Sequence, residues 1–352
     1  MNLLHKDKTF APIRYPWDNP PAEGEAIEVA EGVLWLRLPL PMALDHVNCY
    51  ALDDGDSWTI IDTGFASKRS RSIWEKLIQG PLAGKPIGRV IVTHHHPDHI
   101  GLAGWFMSEY NASLWTTRTS WLFARMLTLD EQDRPTSETI KFWRGAGMPA
   151  DEIARREGER PFNFADAVDP LPLGYHRIRQ GDCIRIGSRD WDVHIGHGHA
   201  PEHATFWSRD DNLILSGDQI IPSISSNIGV YATEPDADPL AEWLESCERL
   251  GALAHDDHLA LGGHKLPFTG LRMRMHQLIE NHHGALHRLQ DHLAKPKTAH
   301  DCFPALFKRK IGGSEYGLAL VEAVAHLNHL LNVGRVSRSK GDNGAWLWVR
   351  NA

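Results

Sequence analysis

A chain of 352 residues exceeds one average domain, so one large domain with an appendage is the first expectation. Its 42 % of hydrophobic residues can bury a sizeable core. A formal net charge of −8 argues against a protein that binds nucleic acid with its whole surface, and leaves room for a locally basic segment.

Residues 1–24 are proline-rich and irregular, and read as an arm laid over the surface. Lys6, Asp7 and Lys8 break its apolar run, so no signal peptide is expected. Short β-like runs begin near Ala26: GVLWLRLPL, then VNCYALDDGDSWTIIDTGF, which reads as two strands joined by a turn at Asp53 to Asp56. A helical stretch, SKRSRSIWEKLIQG, is closed by Gly80 and precedes the strand RVIVT. Residues 115–165 hold two or three amphipathic helical patterns with little strand character, which predicts a helical insertion. Strands resume in DCIRIG, RDWDVHIG, HATFWSRD and NLILSGD. The pattern TGLRMRMHQLIENHHGALHRLQDHLA predicts a helix over 269–294 that leaves the main domain and stops at Lys295-Pro296. The tail then reads helix, helix, hairpin, the outline of a winged helix. The expected organisation is an arm (1–24), a main domain (25–270), a linker helix (271–294) and a winged-helix-like domain (295–352). No stretch of about 18 uncharged apolar residues suggests a membrane span. Cys49, Cys183, Cys247 and Cys302 are scattered without a CxxC pair, so they read as thiols in a reducing compartment, the cytoplasm by default.

The chemistry concentrates in VTHHHPDHIG, residues 92–101, where four histidines and an aspartate follow an apolar run. His94, His96, Asp98 and His99 have the spacing H-x-H-x-D-H, with donors that zinc accepts. Alternate residues on an extended segment can converge on one ion, and residues 98 and 99 can serve a second. Further ligands must come from distant loops, and three strand ends offer them: His199 in GHGHAPEH, Asp218 in ILSGD and His264 in LALGGH.

With these motifs in this order, the chain resembles the metallo-β-lactamase superfamily over roughly residues 25–270. The resemblance implies an α/β architecture, an αββα sandwich with two Zn2+ ions, or other divalent metals, at one edge of its sheets. It implies His94, His96 and His199 on the first metal and Asp98, His99 and His264 on the second, with Asp218 bridging. Asp62 in IIDTG matches the aspartate that orients the ligand loop. His95 is expected to point away, and His197 and His203 flank a ligand without an assigned role. Diiron oxygen reductases on this fold carry a glutamate where this chain has His96, and append a flavodoxin domain. Neither feature is present, which favours zinc hydrolysis.

Asp98 and Asp218 are the expected catalytic carboxylates. A hydroxide shared by the two ions, oriented by Asp98, would attack a carbonyl whose oxyanion the ions stabilise. A thiolate leaving group, with a parent pKa of about 8.5, needs little protonation. Esters, thioesters and lactones are therefore the expected small-molecule substrates, with β-lactams harder. Ser223, Ser225, Asn227 and Tyr231, on the loop after Asp218, are candidates to touch substrate. Trp121, Phe123 and Trp143 of the insertion either form an apolar lid or pack the insertion against the body. His276, His282, His283, His287 and His292 read as a solvated face of the linker helix, although His283 and His287 have metal-capable spacing.

Residues 295–352 carry an excess of five positive charges. This tail resembles the winged-helix domain of the β-lactamase-like protein 2 branch, some of whose members cleave single-stranded RNA. A metal-dependent nuclease is thus the alternative to a small-molecule hydrolase, with a structural or homodimerising role for the tail also open.

Overall fold

Alternation of apolar residues along the strands builds three apolar layers between two sheets and their helices. The computed structural model describes residues 10–42, 44–307 and 309–352. Residues 1–9 of the expected arm, including Lys6, Asp7 and Lys8, and Lys308 of the tail lie outside the described residues.

The first sheet takes β1 (Ile27–Ala30), β2 (Val33–Pro39), β3 (His46–Asp53), β4 (Trp58–Ile61), β5 (Ile87–Ile91), β6 (Ser113–Thr116) and β7 (His176–Arg177) in sequential order. Pairing is antiparallel as far as β4 and parallel beyond it. The second sheet runs in the order β12 (Leu259–Gly262), β11 (Leu213–Gly217), β10 (His203–Ser208), β9 (Arg189–Gly196) and β8 (Cys183–Ile186). Only its β11–β12 pair is parallel.

Trp35, Tyr50 and Leu52 point from the first sheet into the middle layer, where they meet Trp191, Val193 and Phe206 of the second. Their neighbours Leu36, Leu38, Cys49 and Ala51 face outward onto α1 (Lys68–Gln79) and α3 (Ala103–Tyr110). This period of two makes both faces of the strands apolar and gives the αββα order. Between these helices lies the short α2 (Pro97–Ile100), whose first residue is a proline that needs no N–H partner there.

The expected insertion contains α4 (Arg118–Leu129), α5 (Ser137–Gly145) and α6 (Ala150–Glu157). Its start is corrected: residues 115 and 116 belong to β6, whose Val90–Leu114 and Ile91–Trp115 partners lie on β5. Thr117 and Thr136 begin α4 and α5 by accepting the N–H of Ser120 and Thr139. The outer layer of the second sheet contains α7 (Pro239–Leu253) and α8 (Leu271–His292). After α9 (Phe303–Leu306), α10 (Tyr316–Asn332) leads into the hairpin β13 (Val336–Lys340) and β14 (Trp346–Arg350). Leu320, Val324, Leu327 and Trp348 of this C-terminal module join Trp243, Leu250, Leu278 and Leu289 in one continuous core. Among the described residues, no helix is long and apolar enough to cross a membrane.

Candidate metal centre

Each strand named in the sequence delivers its polar residue to the same edge of the sandwich. β5 runs out into His94–His96, and α2 then turns Asp98 and His99 back toward that loop. His199 follows β9, Asp218 follows β11 and His264 follows β12. Three groups result, each with ligand atoms within 4.8 Å of one another: His94, His96 and His199; His94, His99 and Asp218; Asp98, His99 and His264. The seven expected ligands therefore converge, and Asp218 sits between the groups, its oxygens 3.4 Å from His99 Nε2, 3.5 Å from His199 Nε2 and 3.2 Å from His264 Nε2. Gly263 is required here, since a Cβ would collide with the Asp218 carboxylate and the His99 ring.

The rings are fixed from behind. Asp62, 2 % exposed and with a left-handed φ of 57° that Asp tolerates, accepts the Thr93 N–H, the Thr93 hydroxyl and His99 Nδ1–H, each at 2.8 Å. Because the Thr93 hydroxyl donates to Asp62, its oxygen is free to accept His94 Nδ1–H at 3.0 Å. His199 Nδ1–H donates to the Asn227 carbonyl at 2.8 Å, and His264 Nδ1–H to the His46 carbonyl at 2.9 Å. These bonds aim Nε2 of His94, His99, His199 and His264 at the cluster. His94 Nε2 lies 2.9 Å from His96 Nδ1, so these two ring nitrogens converge at hydrogen-bond distance.

Three atoms at the centre, His99 Nε2, His199 Nε2 and Asp218 Oδ1, are buried without a hydrogen-bond partner. Such orphaned polar atoms are costly unless something binds them, and their donor types fit a pair of divalent cations. Burial and the neighbouring imidazoles push His94 and His96 well below the ordinary histidine range, so both rings are neutral and able to act as donors to a metal. Burial opposes charge on His264 as well, yet Asp218 and Asp98 outweigh it and push this group up to about 10. Burial likewise opposes the Asp218 carboxylate, which His264, His99 and His199 nevertheless hold well below its usual range. Facing the cluster are thus a mostly imidazole pole and a pole of concentrated carboxylate.

The remaining sequence candidates separate. His95 turns toward Phe123 and Phe164 of the insertion, with ring centroids 5.1 and 6.2 Å away, and burial pushes it down to about 3. His197 is tied into the scaffold by its N–H to Ser246 and by accepting the Glu202 N–H. Trp121 stacks on Tyr175, and Trp143 lies under Arg156 against the outer core, so these two pack the insertion against the body. Ser223 and Tyr231 are exposed on the loop after Asp218. Ser225 is bonded to His282 and lines a cavity of about 490 Å³ together with His326 and Glu322. Asn227 turns its carbonyl to His199 and its amide to Glu322. His282 corrects the expectation of a solvated helix face: it is buried, because α10 covers that side of α8 with His326. Sequence reasoning left His203 without a role; its ring stacks on His94 at 4.5 Å and its Nε2 accepts the Asp218 N–H at 3.1 Å. Its position in GHGHAPEH, four residues after His199, was the only signal.

The model of the metallo-beta-lactamase superfamily matches residues 42–264, and that of a metallo-beta-lactamase-like C-terminal domain matches residues 286–351. The chain is 28 % identical over 311 residues to a "Probable metallo-hydrolase YqjP" of Bacillus subtilis, covering 85 % of this chain and 92 % of that one. A shorter stretch of 74 residues, 21 % of this chain and 28 % of the relative, is 32 % identical to a hydroxyacylglutathione hydrolase of Methylobacterium nodulans. The crystal structure of a beta-lactamase domain protein from Burkholderia ambifaria superposes with a TM-score of 0.88 and 36 % identity, covering 96 % of this chain and 98 % of that one. Two sheets between helices, a His/Asp cluster able to hold metal and these matches lead to one conclusion: the chain belongs to the metallo-beta-lactamase superfamily, as a metal-dependent hydrolase.

Proposed function

We propose that the protein is a dinuclear zinc hydrolase of small esters, thioesters or lactones. The observation that carries this reading is the convergence of seven ligand residues with three orphaned atoms among them. A pair of such cations supplies Lewis acidity toward a carbonyl oxygen and lowers the pKa of water to near neutrality. His94, His96 and His199 would hold one cation, Asp98, His99 and His264 the other, and Asp218 both. Asp98 is the most open carboxylate of the cluster, its side chain 19 % exposed against 8 % for Asp218. It can therefore accept a proton or a hydrogen bond at the solvent-facing side, while Asp218 holds charge inside. Ser223 and Tyr231, exposed on the loop that leaves Asp218, are the candidate substrate contacts.

The likeness to a hydroxyacylglutathione hydrolase, although short, supports an acyl-transfer substrate with a thiolate leaving group. Pairing of Arg309, Arg338 and Arg350 with Glu315, Asp236 and Asp291 leaves the module less free positive charge than its composition offers, which weakens the single-stranded RNA reading. The buried free thiols of Cys49, Cys247 and Cys302 support a reducing compartment such as the cytoplasm. The test is a panel of thioesters, lactones, a β-lactam and single-stranded RNA with the zinc-loaded protein, beside Asp218→Ala. Thioester or lactone turnover falling by more than about 100-fold in the variant is expected. Cleavage of RNA alone would overturn the reading, and metal analysis giving one equivalent would overturn the dinuclear part.

A further inference from the structure

The loop that leaves Asp218 is held from outside the main domain. Asn227 donates both hydrogens of its side-chain amide to acceptors one helical turn apart on α10: the Leu318 carbonyl at 3.3 Å and the Glu322 carboxylate at 2.9 Å. Three residues on, the Val230 N–H donates to the Val321 carbonyl at 3.1 Å, and Gly229 packs beneath the Val321 side chain. The same Asn227 presents its carbonyl to His199 Nδ1. An α10 residue and a ring of the cluster are therefore connected through a single intervening residue. A carbonyl fixed opposite Nδ1 selects the tautomer and aims the ring, as metal-bound histidines require.

We propose that Glu322, on the long helix of the C-terminal module, is a positioning residue for the site formed by His94, His96 and His199, acting by clamping Asn227. The amide geometry supports it: the Leu318 carbonyl and the Glu322 carboxylate each take one hydrogen, and Glu322, at the shorter distance, is the stronger of the two side-chain anchors that fix Asn227 against α10. Burial pushes the Glu322 carboxyl up to about 7, so at neutral pH a neutral acceptor at this position is close to the native one. Glutamine is thus a near-isosteric replacement, whereas alanine removes the acceptor.

The inference rests on the reading of His94, His96 and His199 as a metal site, and its test separates the two. Zinc and cobalt affinities of the full-length chain are measured by chelator competition, with the cobalt absorption spectrum reporting the geometry of the histidine site. Glu322→Ala is expected to weaken binding about tenfold, the low end for partners outside the ligands themselves, and to change the cobalt spectrum. Glu322→Gln should bind within about twofold of the parent. Asn227→Asp sets two carboxylates against each other and should bind weakly, and combining it with Glu322→Gln restores a donor–acceptor pair and the affinity. Should Glu322→Ala fail to fold, this rescue pair decides alone. Parental affinity in Glu322→Ala, or no recovery in the double variant, overturns the positioning role. Absence of metal binding in the parent would instead overturn the metal reading itself.

Discussion

Asp62 shows how one side chain organises several others. It accepts three hydrogen bonds, two from Thr93 and one from His99, from a left-handed backbone conformation that asparagine also adopts. Asp62→Asn should therefore keep the turn but aim an N–H2 at buried donors. Metal affinity is expected to fall about 10–100-fold, with stability lower by about 1–3 kcal/mol, as read by chelator competition and denaturant unfolding. His203→Phe keeps the stack on His94 and removes the acceptor for the Asp218 N–H, so a loss of about 1–3 kcal/mol is expected in the same unfolding measurement. The sequence exposed the converging donors because all seven lie in four short motifs that follow strands, where residue type alone restricts the chemistry. It did not expose His203 or the carbonyls of Asn227 and His46. Backbone carbonyls are common to all residues, and only the fold selects which of them faces an imidazole.

At the scale of elements, α8 and α10 are joined by a proton-ordered chain. His326 Nδ1–H donates to the Glu322 carbonyl, so its Nε2 accepts His282 Nδ1–H, and His282 Nε2 accepts the Ser225 hydroxyl. Every position in that chain is filled with both rings neutral. Burial lowers His282 to about 3 and His326 to about 4, both below the unfolded value of about 6.5. The folded state thus binds fewer protons than the unfolded one between those values, and the stabilisation is complete above about pH 6.5 and lost as pH falls toward 4. Thermal unfolding followed from pH 7 to pH 5 should show a drop in midpoint that is shallower in His326→Gln than in the parent. An unchanged slope would show that these rings do not link protonation to folding. Both helices were legible from their period of 3.6, but not their contact. The apolar stripe of α10 gives no sign of which partner covers it, and so His282 read as solvated.

For the whole molecule, the sheet order follows from strands that alternate cleanly, and the sequence displayed nearly all of them. The two-residue β7, and β6 at the edge of the insertion, escaped because so short a run carries no period. The shared core has a direct consequence. Trp348, Leu320 and Leu327 are buried with Trp243 and Leu278, so cutting the chain after residue 294 would uncover a large apolar face on α7 and α8. The shortened protein is expected to be insoluble or to unfold at a much lower temperature, and calorimetry of the full chain should show one transition. Two separate transitions would contradict the single core.

The tail also reaches the insertion. A Cβ on Gly145 of α5 would lie 2.8 Å from the ring of Trp346 in the hairpin, although 201 positions separate them. Position 145 cannot gain a side chain unless Trp346 shifts or gives way to a smaller group. In a lineage of such chains, the two segments would have to drift together. The insertion would thereby inherit constraints written in a distant hairpin.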